Sequence, residues 1–350
     1  MSANLIGALL DSRFRVTERF AGGATAWVYR AEDTRTGAKR AVKVLVDAAA
    51  DDVHARFRGE MALLSGLHHP YIVPVHAVGV IEGLPFMVMD LVEGGSVLEL
   101  RNDDGPLLLE DVCVLAIQVL SALAEAHRHG IVHRDVKPGN VLVDDAGNAR
   151  LCDFGIARYD AAQRDRLTCT GYALGTLLYM APEQRLDPRT SDLTVDLYGV
   201  GTLLFRLATD ENPADLFTAD AGSVRWEALP EVLRPLVFRA TRATPAERWP
   251  DARSMAAALL ALLPPERRAA LLALPGGDPA SFPVPANSVR PLSALAAEAA
   301  ARGASAESRQ ASASLSMMVW RWGTVGAALG VVASVVVAVA WWFKLDGTLP

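Results

Sequence analysis

His133-Arg-Asp-Val-Lys-Pro-Gly-Asn140, followed eighteen residues after Asp135 by Asp153-Phe-Gly155, is the stretch on which the reading of this 350-residue chain turns. Between the two lie two short strand-like runs, Val141–Val143 and Ala149–Cys152, separated by Asp-Asp-Ala-Gly-Asn at 144–148. Two such runs around a Gly- and Asn-bearing turn read as a β-hairpin. A hairpin returns the chain to where it started, so it brings Asp135, Asn140 and Asp153 to one end. Upstream, Glu110 to His129 carries Leu115, Val119 and Leu123 at helical spacing, with Gly130 as the stop.

Working outward, Arg13–Asp33 and Lys39–Val46 read as strands with a glycine-bearing turn inside the first and a Thr36-Gly37 turn between them. From Asp52 to Leu67, Val53, Phe57, Met61 and Leu64 recur at helical spacing. Helical patterns then fill the chain to Leu263. Strands early and helices late predict an α+β arrangement in two lobes, a β-rich N-lobe and a helical C-lobe, over 13–263. Residues 1–12 form a lead. From Pro264 to Met318 the chain turns to Ala, Pro, Ser and Gly and reads as a flexible linker. There is no internal repeat.

The overall mean hydropathy of +0.21 owes much to the last residues. Gly323 to Phe343 runs twenty-one residues without a charge, flanked by Trp320, Trp322, Trp341 and Trp342. At about 1.5 Å per residue such a run matches the bilayer core, and the indoles suit its two interfaces. The expectation is a single transmembrane helix over 319–343. A buried core helix is the alternative. Arg302, Arg309 and Arg321 precede the span, which places the N-terminal domain in the cytoplasm, at the inner (plasma) membrane, and leaves 344–350 as a short extracytoplasmic tail. Met1–Leu10 lacks the features of a signal peptide. Gly326, Gly330, Ser334 and Ala338 form a small-residue stripe along the span. Cys113, Cys152 and Cys169 have no metal-like spacing and suit a reducing compartment. The net charge of −6 argues against a nucleic-acid partner. From Pro264 onward seven basic residues face five acidic ones, a weak attraction to an anionic leaflet.

The pattern around Asp135 suits phosphoryl transfer, which asks mainly for positioning and charge neutralisation. Ala21-Gly-Gly-Ala-Thr-Ala-Trp-Val28 supplies small residues between two strands, where backbone N–H groups can approach phosphates. Lys43 lies on the next strand, with Glu60 as candidate partner on the following helix. The Asp153 carboxylate and Asn140 carbonyl oxygen suit hard Mg²⁺, with Mn²⁺ as a substitute.

In this order and spacing, these residues resemble the eukaryotic-like bacterial transmembrane serine/threonine protein kinases. The resemblance covers about Arg13 to Leu263. It implies ATP as phosphate donor, Lys43 on its α/β-phosphates and paired to Glu60, Asp135 on the substrate hydroxyl, Lys137 on the γ-phosphate, and Asn140 and Asp153 on Mg²⁺. Ala21, Gly23 and Ala26 would line the phosphates, and Val28, Ala41 and Leu142 would enclose the adenine. Met89 would be the gatekeeper, with backbone groups of Asp90 and Val92 reading the adenine edge. Glu183 of Ala181-Pro-Glu183 would pair with Arg248, Asp196 would brace the catalytic-loop backbone, and His133 would pack rather than move protons.

Lys137 and Thr176 match the serine/threonine branch. Thr168 and Thr170 are candidate autophosphorylation sites, with Arg134 as a cationic partner for a phosphate. Partners implied are proteins bearing Ser or Thr, the membrane, and a second copy through the kinase domain or the span. Two departures stand out. Ala21 and Ala26 occupy positions that are glycine in the family's phosphate loop, and added methyl groups there predict weaker ATP binding. Asp210–Leu229 lacks the family's usual pattern, so docking cannot be carried over. The competing readings are a pseudokinase scaffold at the membrane and a small-molecule phosphotransferase.

Overall fold

The structure is a computed structural model that describes residues 5–22, 26–46, 64–104, 107–154, 177–187, 192–209 and 211–272. The chain divides into two compact units, Met1–Leu295 and Ala296–Pro350, and the second lies outside the described residues. So do Glu60, Gly23, Thr168, Cys169, Thr170, Thr176 and the expected span at 319–343. Among the described residues no helix is long and apolar enough to cross a membrane.

The first lobe is a six-stranded sheet of β1 (Leu9–Leu10), β2 (Phe14–Gly22), β3 (Ala26–Asp33), β4 (Lys39–Leu45), β5 (Val75–Ile81) and β6 (Leu84–Asp90). The strand order is β1-β2-β3-β4-β6-β5, and every pairing is antiparallel. The turns follow from local chemistry. Gly37 takes φ 71° after β3, and Glu82-Gly83, both at positive φ (51° and 77°), closes the β5–β6 hairpin as the strand twist favours.

Strand alternation decides which residues face the second lobe. Val42, Val44, Phe86 and Val88 bury on one face together with Leu5, Leu10, Phe14 and Trp27. Ala41, Leu45, Met87 and Met89 join the main core on the other. Lys43 therefore lies on the inner face by its parity. The lead does not stay outside the domain: Leu5 is 2% exposed and Leu9–Leu10 extends the sheet.

The second lobe is built on two enclosed helices. α1 (Val97–Asp104) leads into α2 (Leu109–Arg128), and after the hairpin of β7 (Val141–Val143) and β8 (Ala149–Leu151) and the short α3 (Pro182–Leu186) comes α4 (Thr194–Ala208). The expectation of one apolar face understated α2, which is buried around its whole circumference from Asp111 to Leu123. It stops where Gly130 predicts: the Gly130 N–H bonds the His127 carbonyl (2.9 Å) and the Ile131 N–H the Ala126 carbonyl (2.9 Å), a Schellman cap with Gly130 at φ 72°. α5 (Arg234–Ala240) packs on α4, and α6 (Ala252–Leu262) on α2. The linker was expected from residue 264, but α7 (Pro265–Leu272) continues the fold there. Its Arg267 reaches Glu110 at 3.1 Å and Asp111 at 3.3 Å, at the start of α2.

Candidate active site

β7 (Val141–Val143) and β8 (Ala149–Leu151) form the expected hairpin, with Val141 opposite Leu151. Its turn is organised by Asp144, whose Oδ1 accepts from the N–H of Ala146 (3.1 Å) and of Asn148 (2.9 Å). Gln118 of α2 clamps the same turn, donating to Asn148 Oδ1 (3.0 Å) and accepting from the Ala149 N–H (2.7 Å). The hairpin ends are thereby fixed to the core, and the loop before β7 and Asp153 after β8 meet.

Asp135 is the convergence point. Its Oδ2 accepts from Lys137 Nζ at 2.7 Å and from Asn140 Nδ2 at 2.9 Å, and Asn140 Nδ2 also reaches the Asp135 carbonyl at 2.8 Å. Asp196, buried in α4, accepts the His133 N–H at 2.8 Å, the Arg134 N–H at 2.6 Å and an N–H of His127 at 2.8 Å. The expected bracing role of Asp196 is thus visible as geometry. His133 is wholly buried, bonds the Cys152 carbonyl through Nε2 (2.8 Å) and packs on Phe154 at 4.5 Å between ring centroids.

Lys43 reaches across from β4 to Asp153, Nζ to Oδ2 at 2.7 Å. Burial alone would push the Asp153 carboxyl up and the Lys43 ammonium down. The attraction between them outweighs burial: Asp153 lies below the ordinary carboxylate range and Lys43 above the ordinary lysine range. Both groups stay charged at neutral pH. Asp153 itself takes φ 66° and Arg134 φ 67°, left-handed conformations uncommon for residues with side chains and concentrated at functional sites.

For the adenine wall, Val28 lies opposite Lys43 and Ala41 opposite Met89 in the sheet register, while Leu142 packs from below on the core that contains Ala41 and Met89. The Asp90 N–H is taken by the Pro74 carbonyl (3.1 Å), so other backbone groups of 90–92 would have to read an adenine. Ala21 lies opposite Val28 on an exposed part of β2, and Ala26 packs partly buried on the core. Cys152 is buried next to Asp153. It borders a narrow apolar space with Met87, Met89 and Phe154, and burial drives its thiol well above its ordinary pKa.

Glu183 and Arg248 form the expected pair in bidentate form, at 2.6 and 2.7 Å. The remaining Arg248 donors go to the carbonyls of Arg242 (2.8 Å), Ala243 (3.2 Å) and Thr194 (3.3 Å).

A profile for the protein kinase domain matches residues 14–273. The serine/threonine-protein kinase PknL of Mycobacterium tuberculosis is 39% identical over 275 residues, which are 74% of this chain and 67% of that protein. PrkC of Bacillus subtilis is 34% identical over 267 residues, 72% of this chain and 41% of that one. The chain belongs to the eukaryotic-like bacterial serine/threonine protein kinases.

The kinase also uses residues that no motif marked. His127 and Gln118 are polar side chains on a helix otherwise enclosed in apolar core, and a buried polar group needs partners. That mismatch was the available signal for both. Gln184, directly after Ala181-Pro-Glu183, is 5% exposed and carried no signal beyond its neighbours.

Proposed function

We propose that this kinase transfers the γ-phosphate of ATP to serine or threonine hydroxyls while tethered to the cytoplasmic face of the inner membrane, and that phosphorylation of its own Thr168 or Thr170 switches it on. The observation that carries the transfer chemistry is the convergence of Lys137 and Asn140 on one oxygen of Asp135, beside the Lys43–Asp153 pair.

Asp135 orients the substrate hydroxyl and takes its proton as the new P–O bond forms and the β,γ bridging bond of ATP breaks, leaving ADP. Lys137 offsets negative charge on the transferred group, and Lys43 that on the α/β-phosphates. The donor set fits Mg²⁺, or Mn²⁺ in its place: Asp153 remains a carboxylate at neutral pH, and Asn140, with Nδ2 committed to Asp135, would offer its Oδ1 to the cation. A bound cation would neutralise phosphate charge. The complete set Lys43, Asp135, Asn140 and Asp153 favours turnover over a scaffold role.

Support for the tether comes from the uncharged run Gly323–Phe343 with tryptophans at both ends and Arg302, Arg309 and Arg321 before it. The Thr-x-Thr pair at 168–170, with Arg134 before Asp135 as a cationic partner for a phosphate, supports the switch. The small-residue stripe supports pairing of two spans.

The test is phosphate transfer to a generic Ser/Thr protein substrate by the full chain in detergent, beside Asp135→Asn. Turnover should fall by roughly 100-fold or more in the variant. Mass spectrometry of the wild type should find phosphate on Thr168 or Thr170 and none on either in Asp135→Asn. Equal turnover in the two proteins would overturn the assignment of Asp135. A fully active, unphosphorylated wild type would overturn the switch.

A further inference from the structure

The turn at Arg134–Asp135 carries the catalytic aspartate, and the hydrogen bonds that hold it come from three directions. Arg134 sits at φ 67°, a sparsely populated conformation for a residue with a side chain. Its own N–H donates to Asp196 Oδ1 at 2.6 Å. Across the next peptide, the Asp135 N–H donates to His133 Nδ1 at 3.2 Å. The opposite edge of that peptide is the Arg134 carbonyl, which accepts from Gln184 Nε2 at 3.1 Å. Gln184 is anchored in turn, since its Oε1 accepts the Ala181 N–H at 3.2 Å.

Gln184 has no part in the phosphoryl-transfer chemistry described above. Burial of its amide is favourable only because both ends are bonded, and both bonds are to backbone. One fixes the residue that begins Ala181-Pro-Glu183, and the other fixes the carbonyl immediately before Asp135. Without the second bond, the plane would be held on its N–H edge alone, and the left-handed Arg134 would lose part of what over-determines it.

We propose that Gln184 is a positioning residue for Asp135: its amide N–H locks the Arg134–Asp135 peptide plane and couples the catalytic aspartate to the segment at 177–187. This rests on the kinase reading of Asp135. Gln184 would touch neither ATP nor the substrate hydroxyl.

Two substitutions separate positioning from packing. Gln184→Glu is nearly isosteric and keeps an oxygen for the Ala181 N–H, but its carboxylate cannot donate to the Arg134 carbonyl. Gln184→Met removes donor and acceptor together. Measured on the full chain in detergent, kcat of Gln184→Glu should fall about 10- to 100-fold near pH 8, while KM for ATP stays within about twofold of wild type. As pH is lowered to about 6, the buried carboxyl takes up a proton and recovers an O–H donor. The ratio of its kcat to that of wild type should therefore climb, whereas the ratio for Gln184→Met stays flat.

Wild-type kcat in both variants overturns the proposal, as does a loss of equal size in both with no pH dependence. Should the wild type itself fail to exceed Asp135→Asn in turnover, the kinase reading fails. Amide hydrogen exchange over His133–Val136 still decides the positioning claim in that case. Exchange there should quicken in Gln184→Met relative to the β3–β4 hairpin, and an unchanged rate overturns the claim.

Discussion

Asp196 accepts from two backbone N–H groups and an imidazole at 2.6–2.8 Å, and so holds the turn that carries Asp135 from within α4. His69 is a half-buried polar group with a consequence for pH. Its Nδ1 accepts the Tyr71 N–H at 3.2 Å, and its Nε2 lies 3.2 Å from Ser121 Oγ. Burial lowers its pKa from 6.5 to about 4, against the opposing pull of Glu125. The folded protein therefore keeps a neutral imidazole where the unfolded chain is already protonated. The stability this confers is complete above pH 6.5 and is lost as pH falls toward about 4. It amounts to at most about 3 kcal/mol. In His69→Gln, urea unfolding free energies should fall less between pH 6.5 and about 4.5 than in wild type, and identical slopes would sink this account. At this scale the sequence was most legible where residue types are tied to spacing, as for Lys43, Asp135, Asn140 and Asp153. Gln184 was not legible, because a buried amide acquires its role from a partner 50 residues away.

At the level of elements, α3 is only five residues long, and it is fixed in place by Arg248. All five N–H donors of that guanidinium are used, and its side chain is fully buried. A lysine has three donors at one point and no planar fork, so it cannot replace the bidentate bond and reach the three carbonyls. Arg248→Lys should lose about 3 kcal/mol, read as a drop in Tm of roughly 6–12 °C by calorimetry. A shift within about 2 °C would mean that the pair contributes little beyond its packing. The pairing itself was expected from the family resemblance. The further carbonyl partners were not, since loop carbonyls leave no trace in composition or periodicity. Similarly, α2 showed its length and its glycine stop in the sequence, while its enclosure on all sides depended on α4 and α6 packing against it.

For the whole molecule, the hydrophobic run at 319–343 predicts where the enzyme resides. Ending the chain at residue 318 should move it from the membrane fraction to the soluble fraction while leaving turnover on a soluble protein substrate within about threefold. A truncated chain that still sediments with membranes would place the tether elsewhere. The sequence by itself determined the two-lobed class and the order of strands and helices, and its family resemblance named the residues proposed for phosphoryl transfer. The first two follow from local rules, strand and helix periodicity and turn residues. Only the tertiary structure decided that Lys43 bonds Asp153, that Leu5–Leu10 and Pro265–Leu272 belong to the fold, and that Gln184 grips the backbone around Asp135. Each of those depends on which distant groups share a buried space, where a polar atom must find a partner and only the packed chain determines which one.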